Sequence, residues 1–400
     1  MHYCHFFSGR IMRRLLPGCV VAGIYLLGSI GYAVEVKDLF ETQVAVEDQS
    51  SAKRAEAFQA ALGNVLIKIS GSRDIQAAPG IEAVTKNAAR YARRYHYLEK
   101  PTEAAGEPAG AKTPDEAKQL YIAVEFDGEA LQRVLREAGL PVWSANRPQV
   151  LVWLGVDRGP RDRFIVSEDS GEDIGESLME AARRRGLPLI LPLMDLEDRR
   201  RVTFVDISAG FADTLSRASE RYNAQTVLVG HASRGRGDDW SVEWTVLRDN
   251  VSTGWRESGV DLQQAIDSGV DGLADILASR YAHSSSGGEL VQYIVAVEEV
   301  ASLDDYAAVL IYLENLVFVE DVTPVSLESG QVYYRVTMRG ALRELERSLG
   351  LMPSLRPVAV VPENPPPLTA QPFGSPVTEA TDVQPSVRER VDLRYHFVVR

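Results

Sequence analysis

Apolar and polar positions recur along most of this chain with the periods of helices and strands, but the first 33 residues break that pattern. An uncharged, mostly apolar run covers residues 15–30, follows three arginines and ends in Gly31-Tyr32-Ala33. A basic start, an apolar centre and small residues before a cleavage point are typical of a secretory signal peptide. The sequence therefore predicts a cleaved signal over residues 1–33 and a periplasmic mature protein.

Two other interpretations of this segment remain open. Cys19 follows Leu16-Pro17-Gly18, a faint lipoprotein-like motif, but the apolar run continues beyond it. The run also approaches the roughly 18–20 residues that span a bilayer. An uncleaved segment would make the protein inner-membrane anchored and periplasm-facing, because Arg13 and Arg14 favour the inner side.

Residues 34–142 are predicted to form an N-terminal α/β domain. Apolar residues recur at three- and four-residue steps from Phe58 to Ile69, as on one face of a helix, with Ser50 or Ser51 as its cap and Gly71 after its end. Alternating patterns predict strands over 94–98 and 121–126. Between them, residues 99–118 lack large apolar side chains and predict a disordered hairpin insertion.

Residues 143–283 are predicted to form a middle domain with a mixed sheet. Val150–Leu154 and Thr226–Gly230 are continuous apolar runs, as in strands buried on both faces. Trp240–Val246 alternates between apolar and polar residues, which indicates a strand with one wet face. Helical patterns between and after these strands predict a mixed α/β sandwich.

The remaining chain divides into a small domain and a tail. Residues 289–350 show a βαββα order that suits a ferredoxin-like two-layer fold, after a flexible joint at 284–288. Residues 351–400 hold nine of the 20 prolines and predict a largely disordered tail. Its last segment, 391–399, is apolar enough for a docked strand or binding peptide, but fraying is the favoured interpretation. The predicted fold class is α/β (α+β).

Charge and cysteine content exclude several kinds of function. Removing three arginines and no acid from 43 basic and 56 acidic residues leaves 40 and 56, a net charge of −16 for the predicted mature chain. This acidity opposes nucleic-acid binding, which needs a basic face. Both cysteines, Cys4 and Cys19, lie in the predicted signal. The mature protein would therefore have no disulfide and no thiolate chemistry.

Several blocks of the chain, taken in order, resemble an uncharacterised proteobacterial secreted family, domain of unknown function two-zero-six-six. The blocks are 65–74 (VLIKISGSRD), 139–143 (GLPVW), 146–148 (NRP), 184–188 (RRGLP), 195–198 (DLED), 221–224 (RYNA) and 227–230 (VLVG). The resemblance implies a secreted or envelope protein and brings no catalytic residues. Residues 224–254 are also similar to periplasmic sandwich domains of the TolB amino-terminal and curli-secretion kind, which implies an assembly or interaction module.

Motifs that could carry catalysis are better explained by local structure. Ser50 and Lys53 match a Ser-x-x-Lys motif and Ser144-Ala145-Asn146 a second element, but the third element, Lys-Thr-Gly, is absent. Helix capping by the serines is therefore favoured. The triplet 236–238, Arg-Gly-Asp, is explained by turn chemistry.

The sequence signal for a metal site or a functional histidine is also weak. Asp195, Glu197 and Asp198 could hold a hard cation, although a solvated loop is favoured. Neither His231 nor the other histidines of the mature chain, at positions 96, 283 and 396, have metal-ligand spacing. We therefore predict no catalytic residues, cofactor or metal.

The one candidate contact site is a pair of tryptophans. If Trp240 and Trp244 share an exposed strand face, they form a contact patch for another protein. The leading hypothesis is a non-enzymatic periplasmic interaction or assembly module that binds an envelope protein. The alternative is a hydrolase or small-ligand-binding protein of the envelope, which requires a deep pocket between the first and middle domains. A structural spacer is a third possibility.

Overall fold

The computed structural model describes residues 33–101, 118–169, 173–235, 239–249, 251–284, 289–328, 330–352, 354–358 and 391–398, and the statements below concern these residues. They form mixed α/β structure, which confirms the predicted fold class. They are described below as three units, each built around its own main sheet. No helix among them is both long and apolar enough to cross a membrane. The predicted signal or anchor, apart from Ala33, lies outside the described residues.

The first unit packs one long helix against a three-stranded sheet of order β2-β4-β3. Helix α1 begins at the predicted cap, because the Ser50 side chain accepts a hydrogen bond from the Lys53 backbone N–H, and it ends at Gly71 with φ 73°. Its elements are β1 (Ala33–Glu35), β2 (Glu41–Ala45), α1 (Ser51–Ser70), α2 (Ile81–Lys86), β3 (Ala92–Pro101), β4 (Lys118–Phe126), α3 (Gly128–Glu137) and β5 (Pro141–Val142).

Strands β3 and β4 are longer than their sequence pattern predicts. The predicted insertion begins at Glu99, but β3 runs to Pro101, and β4 starts at Lys118 opposite it. The prediction of disorder is therefore wrong at both ends of the insertion, where backbone pairing continues without an apolar face. Residues 102–117 lie outside the described residues.

The middle unit is a three-layer sandwich around a mixed sheet of order β12-β11-β10-β7-β8, with β9 also paired to β7. Helices α4 and α8 cover one face, α6 and α7 cover the other, and α5 contacts α7. The elements are β6 (Asn146–Pro148), β7 (Val150–Asp157), β8 (Arg163–Ile165), α4 (Asp173–Arg185), β9 (Leu189–Ile190), α5 (Leu196–Arg201), α6 (Phe204–Ser208), α7 (Ala212–Ser219), β10 (Thr226–Arg234), β11 (Trp240–Arg248), β12 (Val251–Gly259), α8 (Leu262–Tyr281) and β13 (His283–Ser284).

The third unit has the predicted βαββα order and two further strands. Its elements are β14 (Leu290–Glu298), α9 (Leu303–Glu314), β15 (Val319–Glu328), β16 (Gln331–Arg339), α10 (Leu342–Leu349), β17 (Leu355–Pro357) and β18 (Leu393–Phe397). The sheet order is β15-β16-β14-β18-β17. Strand β17 runs antiparallel to β14, like the last strand of a ferredoxin-like fold, but β18 lies between them, parallel to β14.

The boundary predicted at residue 350 is therefore too early, and the predicted fraying of the C-terminal segment is wrong. Residues 355–357 and 393–397 are strands of the third sheet. Tyr395 and Phe397 are 2% and 5% exposed in its core, so burial of their rings stabilises the strand. Residues 359–390 lie outside the described residues, and the predicted disorder there stays a prediction.

The first and middle units are joined by a buried arginine at the carbonyl ends of two helices. Arg147 is 0% exposed. Its guanidinium donates to Lys68 O (2.6 Å) at the end of α1 and to Arg185 O (3.0 Å) and Gly186 O (2.8 Å) at the end of α4. It also lies 3.9 Å from the ring centroid of Trp143. The negative ends of two helix dipoles therefore serve as its counter-charge.

A second arginine continues this junction toward α8. Arg185, 4% exposed, donates to Gly71 O (2.9 Å), Asp271 (2.7 Å) and Asp275 (2.8 Å). Arg73 from the first unit reaches the same Asp275 at 2.6 Å. Carbonyl oxygens left without partners at the end of α1 are thus satisfied by the middle unit.

We expect Arg147→Met to lower the free energy of unfolding by about 3 kcal/mol, because several buried carbonyls lose their donor together. Urea denaturation followed by circular dichroism measures this. Arg133→Met, at an exposed site on α3, is the control and should change stability by less than about 0.5 kcal/mol. Equal stability of the two variants would contradict a role for Arg147 in joining the units.

His283 makes stability depend on pH at the junction with the third unit. Burial, followed by repulsion from the Arg347 guanidinium, lowers the pKa of His283 to about 4. Glu344 Oε2 lies 3.9 Å from His283 Nδ1. Between pH 6.5 and 4 the unfolded chain binds a proton at this site that the folded chain does not, so stability falls as the pH falls through this window.

We expect His283→Gln to reduce the loss of unfolding free energy between pH 7 and pH 4 by on the order of 1–3 kcal/mol. Urea titrations at several pH values give this slope. His96→Gln, at an exposed histidine, is the control and should leave the pH dependence of the unfolding free energy unchanged. Parallel pH profiles for the wild type and His283→Gln would refute the assignment.

Candidate functional site

The predicted tryptophan contact patch is wrong, because Trp244 belongs to the core. Trp244 is 1% exposed and stacks on Trp255 with ring centroids 6.5 Å apart. It is held between Gly230 of β10 and Gly269 of α8, where a Cβ atom would overlap the indole. Trp240 is half-buried and packs on the same core. The alternation in β11 marks the face beneath α8, not an exposed face.

The strand next to β11 is the exposed element that sequence patterning missed. Strand β12 pairs with β11 through nine residues without a register shift and is the terminal strand of its sheet. Its sequence, VSTGWRESG, has Val251 and Trp255 as its only large apolar residues, so it shows no strand-like alternation. Its first four residues are exposed, and Trp255 packs toward α8.

The hairpin that precedes β12 determines which of its backbone groups point outward. Arg248 is opposite Val251 across a two-residue loop that begins at Asp249, whose φ is 49°. Such a loop is closed by a pair that exchanges both hydrogen bonds, and bonded positions then alternate along the strand. The N–H groups of Ser252, Gly254, Arg256 and Ser258 therefore point away from β11, toward solvent.

The side chains along this edge leave its backbone accessible. Arg256 pairs with Glu243 across the β11–β12 ladder. Val251 and Val260 at the two ends of the strand are 63% and 73% exposed. The edge therefore presents outward-facing backbone donors between two exposed apolar side chains.

A groove of about 630 Å³ lies beside the start of β12, between α7 and the sheet. Val227 and Leu247 contribute apolar surface, while Asp213, Ser216 and Asn223 contribute carboxylate, hydroxyl and amide groups. The Asn223 Oδ1 atom is buried and has no hydrogen-bond partner within the described structure. This chemistry suits a small polar ligand. Among its described lining residues, no hydrogen bond joins a serine hydroxyl to a carboxylate or an imidazole.

The Ser-x-x-Lys motif has the predicted capping role. Ser50 caps α1, and Lys53 lies between Glu47 (3.2 Å) and Glu56 (3.3 Å). Hydrogen bonds with these two glutamates raise the pKa of Lys53, which is the opposite of what a lysine base requires. Ser144 Oγ donates to the backbone of Asn146 at 3.4 Å, so the second element is also a local turn.

The acidic cluster at 195–198 is the start of helix α5 and not the solvated loop favoured from the sequence. Asp195 caps α5 and pairs with Arg221 at 2.8 Å, and these contacts hold the pKa of Asp195 well below its usual range, the Arg221 hydrogen bond first. Asp198 is buried and accepts from Tyr222 Oη and from the Met194 N–H. Within the part of the chain that is described, no three His, Cys, Asp or Glu side chains could together hold a metal ion.

The described histidines occupy separate places. His96 is exposed on β3, His231 lies edge-on to Phe204, and His396 lies 3.2 Å from Glu298. Among the described contacts, none of these three histidines lies beside a second histidine or a serine in a catalytic arrangement. The Arg-Gly-Asp triplet at 236–238 lies outside the described residues.

The junction where the alternative function requires a pocket is filled by side chains. Arg147, Arg185 and Trp143 occupy the space between α1, α4 and α8. Of the two described grooves, the larger belongs to the middle unit, and the smaller, about 290 Å³, lies within the first unit near Arg93 and Glu125. Neither groove lies at the Arg147 junction.

Comparison with known families corrects the resemblance drawn from sequence blocks. Residues 33–144 match a family described as a domain of unknown function (DUF8605). This is not family two-zero-six-six, so that assignment is wrong, and no similarity to TolB or curli-type domains is shown. No curated protein and no solved structure matches the chain significantly. The match covers the first unit, including Trp143, and ends before Arg147.

We expect Trp244→Ala to lower the free energy of unfolding by about 3–5 kcal/mol, because it leaves a large cavity under α8. Trp240→Ala, on the same strand face but half-buried, is the matched comparison and should lose less than half as much. Chemical denaturation of both variants distinguishes a core role from a surface role. A larger loss for Trp240→Ala would contradict this placement.

Proposed function

We propose that this protein is a non-enzymatic interaction module of the bacterial envelope that binds another envelope protein by adding its strand to β12. The observation that supports this proposal is the nine-residue, regular and exposed edge of the middle sheet. An extended segment placed beside β12 gains main-chain hydrogen bonds from the outward N–H groups, which is how β-strand addition provides affinity. The periplasmic location rests on the signal-like pattern of residues 1–33.

The other sheet edges among the described residues carry features that discourage such pairing. Strand β15 has two bulges and Pro324, and β3 has a bulge near Arg94 and ends in Pro101. The other edge strands have five residues or fewer, namely β1, β2, β5, β6, β8, β9, β13 and β17. Short strands, bulges and proline are three of the devices that protect edges from other chains. Strand β12 has none of them and contains no lysine.

The partner on this proposal is an extended segment of a different envelope protein, recognised mainly through its backbone. Val251 and Val260 provide apolar contacts at its ends, and the Arg256–Glu243 pair keeps the nearby face neutral. A mainly backbone contact needs little charge complementarity, which fits an acidic chain. No residue of this surface needs to perform chemistry.

The groove beside α7 favours a second candidate, a small-ligand-binding protein. Its volume of about 630 Å³ is within the range of small-molecule sites, and the unpartnered Asn223 oxygen could accept a hydrogen bond from a ligand. This candidate predicts binding that does not depend on the outward N–H groups of β12.

We expect Arg256→Pro to abolish partner binding and Arg256→Ala to preserve it. Both variants lose the ion pair with Glu243, but only proline removes an outward N–H in the centre of the edge. Proline is tolerated where an edge-strand N–H faces solvent, so the fold should survive. A photocrosslinker at Ser258 in living cells, followed by mass spectrometry, measures the amount of one defined adduct in each background.

The proposal is supported if the wild type gives one adduct whose amount falls at least tenfold in Arg256→Pro and is retained in Arg256→Ala. Circular dichroism must show that both variants are folded. An adduct that persists in Arg256→Pro, or no adduct in either background, contradicts strand addition. Thermal stabilisation by small envelope fragments that disappears with Asn223→Ala and persists in Arg256→Pro would favour the ligand-binding candidate.

A further inference from the structure

The C-terminal strand occupies a slot in the interior of the third sheet. Strand β18 pairs with β14 on one side, with Val295 opposite Leu393, and with β17 on the other, with Leu355 opposite Phe397. Residues 393, 395 and 397 face the helices α9 and α10, and the rings of Tyr395 and Phe397 are buried there. Without β18, the edge of β14 and one whole side of β17 would lose their pairing.

Polar contacts fix the register of this strand. The Ile294 N–H donates to Asp392 Oδ2 at 2.7 Å, and the Asp392 N–H donates to Ile294 O at 2.9 Å. Arg394 donates to Glu298 at 2.6 Å, and His396 Nδ1 lies 3.2 Å from the same carboxylate. The slot therefore recognises an extended segment with apolar residues at alternate positions, an acid before the first of them and basic residues between them.

The connection to β18 is much longer than the place of the strand requires. The Val358 N–H donates to Arg394 O at 2.9 Å, so the chain on the two sides of the connection is in direct contact. Yet 32 residues, 359–390, separate Val358 from Val391, seven of them proline. A hairpin between adjacent strands needs two to five residues. Fully extended, a connection of this length reaches about 100 Å, far enough to reach a second molecule.

We propose that β18 is an exchangeable strand, and that the slot between β14 and β17 accepts the β18 of a second copy of this chain to form a strand-swapped dimer. The exchanged strand makes the same contacts as the strand in cis, so the two forms differ mainly in the entropy of the connection and in protein concentration. This inference does not depend on the proposed role of β12. It assigns the long C-terminal connection to self-association through the third unit.

The test uses two single-cysteine versions of the chain, with Cys4 and Cys19 removed with the signal or replaced by serine. One version carries Ala296→Cys on β14 and the other Arg394→Cys on β18, two residues that face each other in the parallel register. After mixing and incubation at rising concentration, mild oxidation produces a covalent heterodimer where the β18 of one copy lies in the slot of the other. Non-reducing electrophoresis and mass spectrometry quantify it.

The matched control replaces Ala296→Cys by Gln292→Cys, on the same face of β14 but four residues out of register. A heterodimer that increases with concentration and exceeds the control at least tenfold supports exchange. The double variant Ala296→Cys/Arg394→Cys tests the slot itself and should form an intramolecular disulfide. If the double variant forms its intramolecular disulfide efficiently but no heterodimer exceeds the control, strand exchange is refuted. If the double variant does not form this disulfide, the pairing of β18 with β14 is refuted.

Discussion

The arrangement of this molecule depends on the hydrogen bonds that the buried guanidinium of Arg147 donates where helices α1 and α4 end. Two helices that end in the same buried place bring together carbonyl groups and the negative ends of two dipoles, which is unfavourable without a positive charge. Arg147 supplies that charge together with donors in a planar fork. The burial of a cation without a carboxylate is tolerated because the helix ends provide its partners.

The same junction limits where function can be located. Arg185 extends the network to Asp271 and Asp275, and Gly71 lets the end of α1 approach α8 so closely that a Cβ atom would overlap Ala278. The contact between the first and middle units is therefore filled by structural side chains. At the periphery of the described structure, β12 ends the middle sheet and the groove beside α7 adjoins it. On this distribution rests our proposal that the edge of the middle sheet is an interaction surface.

Local patterns predicted the elements whose stability comes from burial of one regular face. Helix α1 with its Ser50 cap, the buried strands β7 and β10, and the βαββα order of the third unit all follow from apolar periodicity. The sequence pattern did not predict strand β12, because an exposed edge needs no apolar alternation. Its conformation is imposed by pairing with β11. The sequence pattern did not favour strand β18 for a related reason, because its five residues depend on pairing with β14 on one side and β17 on the other. The alternation in the sequence predicts the strand that carries Trp244, but which face of that strand α8 covers is a tertiary property.

By itself, the amino-acid sequence determined the mixed α/β class, the acidic charge and the absence of cysteine from residue 34 onward. These properties depend on composition or on contacts between near neighbours in the chain. Only the tertiary structure decided that Arg147 joins two helix ends, that Trp244 lies in the core, that β12 is an open edge and that the C-terminal strand lies inside a sheet. Each of these depends on residues that are distant in sequence, and burial, charge compensation and strand pairing arise only when the fold brings them together.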